Sequence, residues 1–424
     1  MARNPKRRRG PAFTQRGIAM IVVAVCISVI AVLAAEFSTN TTTDFIAATT
    51  ARDRMRAHFL ARSAMNLGEL IIRVQKDVLD KYREYIGDIQ ITDYVGLFIG
   101  AFGGGQDEVA SIGEMLGPGF SPDMVKGLGL EVGNFDVSIV PEGGRINVNC
   151  ANGSDETRDV LKKRLDALLY PRIYDRLFEN ETADGYRRTR TEQSSAIIDY
   201  IDRDRSLYGS PGTPEDYGYR MLDDEYEAKN NYIDTVGELQ MVRGVDDKFW
   251  AIFGDSFTVY GSCKINVGAV TDPNIIASLI LLAAKDDKDP VVQDSKRLYA
   301  LAKYVAGTSS GPFGSQFGDL QAFADLVKNP QGALLSMLSG MADAPEPPEL
   351  VDENGVRIEG VELDMTKLGR IAEAGPRRIY RVQGFATIGK IQVTITGIWD
   401  TNVQNQNLRG PGYDKGAWVL WSEQ

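Results

Sequence analysis

The chain runs to 424 residues, 43% hydrophobic and 25% charged, a balance that suits two or three globular domains and not a disordered polymer. A single histidine, His58, all but excludes His-ligated metal sites, Ser–His triads and Cys–His pairs, and three cysteines are too few for a CxxC-type zinc cluster. The net charge of −11 conceals a basic end. Residues 1–17 hold six basic side chains and no acid, leaving 41 basic against 58 acidic residues in the body, which argues against a nucleic-acid partner.

Residues 18–35, IAMIVVAVCISVIAVLAA, carry no charge and no proline. At about 1.5 Å per residue they nearly match a bilayer core, and the basic residues before them should stay on the cytoplasmic side. A cleaved secretory signal, a plain membrane anchor and the first half of a longer spine are the three readings. Leu60, Ala64, Leu67, Ile71, Val74, Val78 and Tyr82 recur at three- and four-residue intervals and predict a core-facing stripe on an amphipathic helix. The Thr/Asn-rich residues 38–43 predict a local break between the two stretches.

The order of these features resembles a type IV prepilin or pseudopilin: a basic leader ending in Gln15-Arg16-Gly17, an uncharged run from Ile18, then an amphipathic helix. The resemblance implies that a prepilin peptidase at the inner membrane cuts after Gly17, and that Ile18 becomes the N-methylated first residue. A glycine suits a site where a protease must lay an extended backbone close to its catalytic groups. The fifth residue after the cut is Val22, where most such proteins have glutamate. A carboxylate in lipid is tolerable only opposite a neighbour's positive charge, so its absence suggests a subunit that does not sit under another in the fibre.

Further along, residues 134–149 read as two strands joined by a turn at Pro141-Glu-Gly-Gly144. Residues 155–260 read as helical. RINVNC (145–150) is echoed by CKINV (263–267), as if two similar strands bracketed an insertion. Residues 273–340 read as mostly helical, with IIASLILLAA (275–284) too short to span a bilayer and so a core segment. The acidic, proline-rich stretch 343–354 reads as a linker or exposed loop. Residues 379–388 and 391–399 flank Gly389-Lys390, the signature of a type II′ hairpin, and AWVLW (417–421) adds a final strand.

This arrangement, with SAIIDYIDRD (195–204), PGTPEDYGY (211–219) and VGELQMVRGV (236–245) leading into the second INV, resembles the K-type minor pseudopilin (GspK family) of the type II secretion system. It implies an α+β fold: a long N-terminal pilin-like helix on an antiparallel sheet, with a large helical domain inserted in the sheet domain. Residues 1–17 would be the leader, 18–85 the transmembrane and spine helix, and 86–150 the first part of the pilin-like body. Residues 151–264 would be the inserted domain, and 265–424 the rest of the body with a helical extension at 273–340 and the C-terminal strands. The resemblance also implies a non-enzymatic role at the pseudopilus tip. Its partners would be I-type and J-type minor pseudopilins, other pseudopilins of the fibre, and the prepilin peptidase. The chain would be a single-pass inner-membrane protein with its body in the periplasm. Two rivals are a signal-anchored extracytoplasmic hydrolase with a calcium-stabilised domain and a large minor pilin of a type IV pilus.

Residues 199–225 hold the densest acidic constellation. Crowded carboxylates repel unless solvated or bridged by a hard cation, and the spacing is not that of an EF-hand. The family resemblance implies calcium here, held by Asp202, Asp204, Glu215 and Asp216, with Asp199 as a further ligand. Cys150 and Cys263 end the two INV segments. In an oxidising compartment they are either a disulfide at the neck of the insertion or two separate buried thiols.

Overall fold

The computed structural model describes residues 15–82, 90–96, 133–182, 185–210, 212–220, 224–309, 319–332, 350–351, 355–404 and 415–423. Most of the basic leader and most of the 343–354 segment lie outside these.

Helix α1 (Gln15–Val74) is continuous and closes through a π turn, Gln75–Leu79, and a 3-10 turn, Asp80–Tyr82. The expected break at 38–43 is not there. Thr39, Thr42 and Thr43 donate their hydroxyls to the carbonyls of Ala35, Ser38 and Thr39, four residues back, at 2.8–2.9 Å. These side chains therefore bond along the helix rather than compete with it, and no glycine or proline interrupts the run.

The first half of α1 is exposed as far as residue 48, and α1 is the one described helix long and apolar enough to cross a membrane. The second half lies on a four-stranded antiparallel sheet of order β1 (Asn134–Pro141), β6 (Ile379–Ile388), β7 (Ile391–Gln404), β8 (Lys415–Glu423). The expected stripe holds through Leu60, Ala64, Leu67 and Ile71, which pack on the sheet, but Val74, Val78 and Tyr82 are exposed, and the buried face is displaced towards Ala57, Ala61, Gly68, Ile72 and Gln75. Close approach explains the shift: a Cβ on Gly68 would lie 2.7 Å from Val382, and one on Gly384 would lie 2.6 Å from the Ala61 carbonyl. Small residues on both surfaces let helix and sheet meet nearly backbone to backbone, so apolar bulk alone does not mark the whole contact face, although Met65, Ile71 and Ile72 are buried on it. The β6–β7 loop has positive φ at Gly389 alone (59°), as a type II′ turn requires.

The 3-10 turn Glu142–Gly144 carries the chain out of this sheet, not back along it. β2 (Ile146–Asn147) thus does not pair with β1, as a hairpin would require. It runs parallel to β3 (Phe257–Thr258), while β4 (Ile265–Asn266) runs parallel to β5 (Ala372–Glu373). The two INV segments are therefore equivalent without being paired: each opens a helical module that its own partner strand closes. Asn147 donates its Nδ2 to the Gly261 carbonyl at 3.0 Å, and Asn266 does the same to Gly375 at 2.9 Å. In each segment the flanking residues, Ile146 and Val148 or Ile265 and Val267, are fully buried.

The first module contains α2 (Asp155–Leu169), α3 (Arg190–Ile201) and α4 (Asp247–Phe253), and the described residues of 202–235, where helix was expected, are largely irregular. The second contains α5 (Pro273–Ala283), α6 (Ser295–Ser309), α7 (Leu320–Lys328) and α8 (Met365–Ile371). Apolar α5 is a core helix, with Ile275, Ile276, Leu279 and Ile280 fully buried. The two modules share one hydrophobic core, distinct from that between α1 and the sheet. Buried Arg164 of α2 donates to the carbonyls of Cys263 and Ile371, tying the ends of both modules together.

Candidate metal centre

Helix α3 starts at a capping box, Thr189 with Glu192, and buries Ile197, Ile198 and Ile201 against the module core. It stops at Asp202, whose backbone is extended (φ −67°, ψ 174°). Asp202 and Asp204 bring their carboxylates together, while Arg203 between them lies over the Tyr232 ring. A tight return follows. Ser206 bridges Pro214, and the Leu207 amide donates to the Thr213 carbonyl at 2.9 Å. This brings Glu215, the first residue of the 3-10 turn Glu215–Gly218, back against Asp202.

Carboxylate oxygens of Asp202, Asp204 and Glu215 all lie within 4.8 Å of one another. Asp202 is 1% and Glu215 4% exposed, and Asp202 Oδ1 and both Glu215 oxygens are buried without a hydrogen-bond partner. Asn230 stands beside Glu215 in the left-handed region (φ 49°), and its buried Oδ1 is also without a partner. Asp199 and Asp216 line the same region but are engaged with the loop backbone. Asp199 Oδ1 accepts from the Tyr208 amide at 2.7 Å, and Asp216 Oδ1 from the Ala228 amide at 3.0 Å. Of the five residues expected as ligands, three come together, Asp202 and Glu215 with unpartnered oxygens and Asp204 accepting from the Ser206 amide and Arg158, and two brace the loop that carries them.

Burial, then the neighbouring acids, raises these carboxyls. Glu215 is pushed up to about 8 and Asp199 to about 7. Asp202 goes to about 6, burial and Asp204 outweighing the guanidinium of Arg158. Orphaned, buried oxygens of one charge sign are what a hard cation satisfies, so this donor set fits Ca²⁺ by its chemistry. Sequence reasoning missed two residues here. Arg158, on α2, contacts Asp155, Asp202 and Asp204, and carries no local signal in the sequence. Asn230 had a faint one, since Asn is the non-glycine residue that best tolerates positive φ.

Cys150 and Cys263 form a disulfide with Cα atoms 5.8 Å apart, across the neck of the first module. Gly17 and Ile18 lie within α1.

Residues 144–259 match the family model described as type II secretion system (T2SS), protein K, first domain. Among solved structures the chain is similar to one in the GspK–GspI–GspJ complex of the enterotoxigenic Escherichia coli type 2 secretion system. The TM-score is 0.48 at 13% identity, covering 89% of this chain and 98% of that one. No curated protein matches the chain by sequence.

Proposed function

From a chain whose residues 144–259 match the family model of type II secretion protein K, we propose that the whole protein is a minor pseudopilin of type II secretion. The observation that carries this reading is the union of that module with α1, a single helix whose apolar first half is bare and whose second half is bound to its own sheet. An exposed apolar rod is stable in a membrane and afterwards among the rods of sister subunits. The family match on the inserted module favours this reading over a type IV pilus subunit and over an anchored hydrolase.

The role is structural rather than catalytic. The bulky modules sit on the chain between strands of the pilin-like sheet, and would hinder a further subunit from stacking above, which suits a tip position. The partners are the I-type and J-type minor pseudopilins and, at processing, the prepilin peptidase. The body lies in the periplasm and the helix in the inner membrane. Ca²⁺ would be held by Asp202, Asp204 and Glu215, replacing the mutual repulsion of these acids with attraction to a shared charge.

The test is co-purification of the membrane-extracted chain with the other tip subunits, combined with N-terminal sequencing. Recovery of both partners and a sequence starting at Ile18 is the expected result. A start at Met1 or Ala35, with no pseudopilin partner, sinks the proposal.

A further inference from the structure

Among the described residues, Arg158 is the one cation that touches the acidic centre on the side of Asp202 and Asp204. Its Nη1 donates to Asp202 Oδ2 at 3.2 Å and to Asp204 Oδ2 at 2.9 Å, and its Nη2 to Asp155 Oδ1 at 3.1 Å. The fit is loose. One terminal nitrogen is divided between two carboxylates instead of forming a two-pronged pair, and the buried Nε has no acceptor. On the far side both Glu215 oxygens are buried with only the Asn230 side chain beside them, too far for a well-formed hydrogen bond. The guanidinium thus offsets part of the charge of the cluster and leaves the remainder exposed to a second cation.

We infer that Arg158 is a tethered counter-ion of this centre, which steadies the carboxylates when no metal is bound and sets how tightly a divalent cation is held. The inference rests on reading the centre as a cation site. Asp202 and Asp204 are the residues Arg158 grips, and they are also two of the three that can share a metal. A cation held there is adjacent to a fixed like charge, and that repulsion weakens binding by an amount that disappears with the charge. Arg158 has somewhere to go. Its side chain is 20% exposed and borders an open cavity lined also by Asp155 and Asp159 of its own helix. A turn of the side chain towards Asp155 releases Asp202 and Asp204 to the metal while keeping the arginine paired.

The experiment compares the full chain, Arg158→Gln and Arg158→Lys, extracted in detergent and stripped with a chelator. Calcium affinity is read by competition with a chromophoric chelator, and the calcium-free melting temperature is read separately. Arg158→Gln should bind calcium about tenfold more tightly than the unaltered chain while melting lower without it. Arg158→Lys, which keeps the charge, should stay near the unaltered affinity. Equal or weaker calcium binding by Arg158→Gln overturns the inference, as does a lysine variant that tightens as much as the glutamine one. Calcium bound by neither the unaltered chain nor Arg158→Gln overturns the cation reading of the centre itself.

Discussion

Asn147 and Asn266 perform the same task in modules whose interiors differ. In each, an Ile-Asn strand starts the module, its neighbour returns parallel to it, and the asparagine amide fastens the exit. Inside the second module, α5 packs apolar side chains on nearly every face. Inside the first, the described part of 202–235 is largely without regular structure and surrounds the one group of acids, among the described residues, close enough to share a metal. One frame thus tolerates two ways of filling it: burial of apolar surface, or a polar loop held by charge and covalent closure.

The largest test of that contrast is the disulfide, which closes only the first module. Its sequence separation of 113 residues corresponds to about 4–5 kcal/mol of denatured-state entropy. Replacing Cys150 and Cys263 by alanine should lower the urea midpoint accordingly. Hydrogen exchange should show protection lost over 146–258 before 265–373. Simultaneous loss in both breaks the comparison, and would mean that their common core makes them a single cooperative unit.

Next in size is the response to pH and calcium, confined to the first module. Folding raises the carboxyls of Asp199, Asp202 and Glu215 above their unfolded values, so the calcium-free folded state holds more protons than the unfolded one between about pH 4 and about 8. Stability without calcium should therefore be greatest at the acid end and fall as pH rises through that window. Calcium should restore it increasingly towards pH 8, by about 2.7 kcal/mol at a hundredfold excess over its dissociation constant. Glu215→Gln removes one ionisable group. At pH 8 it should raise calcium-free stability by on the order of 1–2 kcal/mol and abolish the response to calcium, both read from denaturant melts. A variant that still gains stability from calcium would place the ion elsewhere.

How much of this could be read in the residues follows from the range of the forces involved. The Gly389-Lys390 hairpin is set by two neighbouring residues and was legible. So was the meeting of Asp202, Asp204 and Glu215, which lie within one short stretch of chain, whereas Asp199 and Asp216 turned out to hold loop amides. The face of α1 was legible in Leu60, Ala64, Leu67 and Ile71, whereas its closest contact, Gly68 against Val382, carries no apolar bulk to mark it. The INV echo was visible, but its pairing was not, since the partners of Ile146 and Ile265 lie more than a hundred residues away. Arg158 was invisible for the same reason, reaching Asp202 across 44 residues from a different helix.

The smallest expected effect probes the shared frame directly. Asn147 and Asn266 are each 7% exposed, and each accepts from an amide two residues on, from Asn149 at 3.1 Å and from Gly268 at 3.0 Å. Substituting either by alanine removes two hydrogen bonds from the neck, a loss of about 1–3 kcal/mol. The two losses should nevertheless differ with redox state. Cys150 and Cys263 lie within three residues of Asn147 and Gly261, so the disulfide holds the ends that Asn147 fastens, whereas Asn266 and Gly375 have no such support among the described residues. Asn147→Ala should therefore cost less than Asn266→Ala in the oxidised protein, and the difference should close when the disulfide is replaced by alanines. A denaturation cycle over the two asparagines and the cysteine pair measures that coupling. Strict additivity would mean that bond and amide act on separate parts of the neck, and that the frame is stabilised alike in both modules.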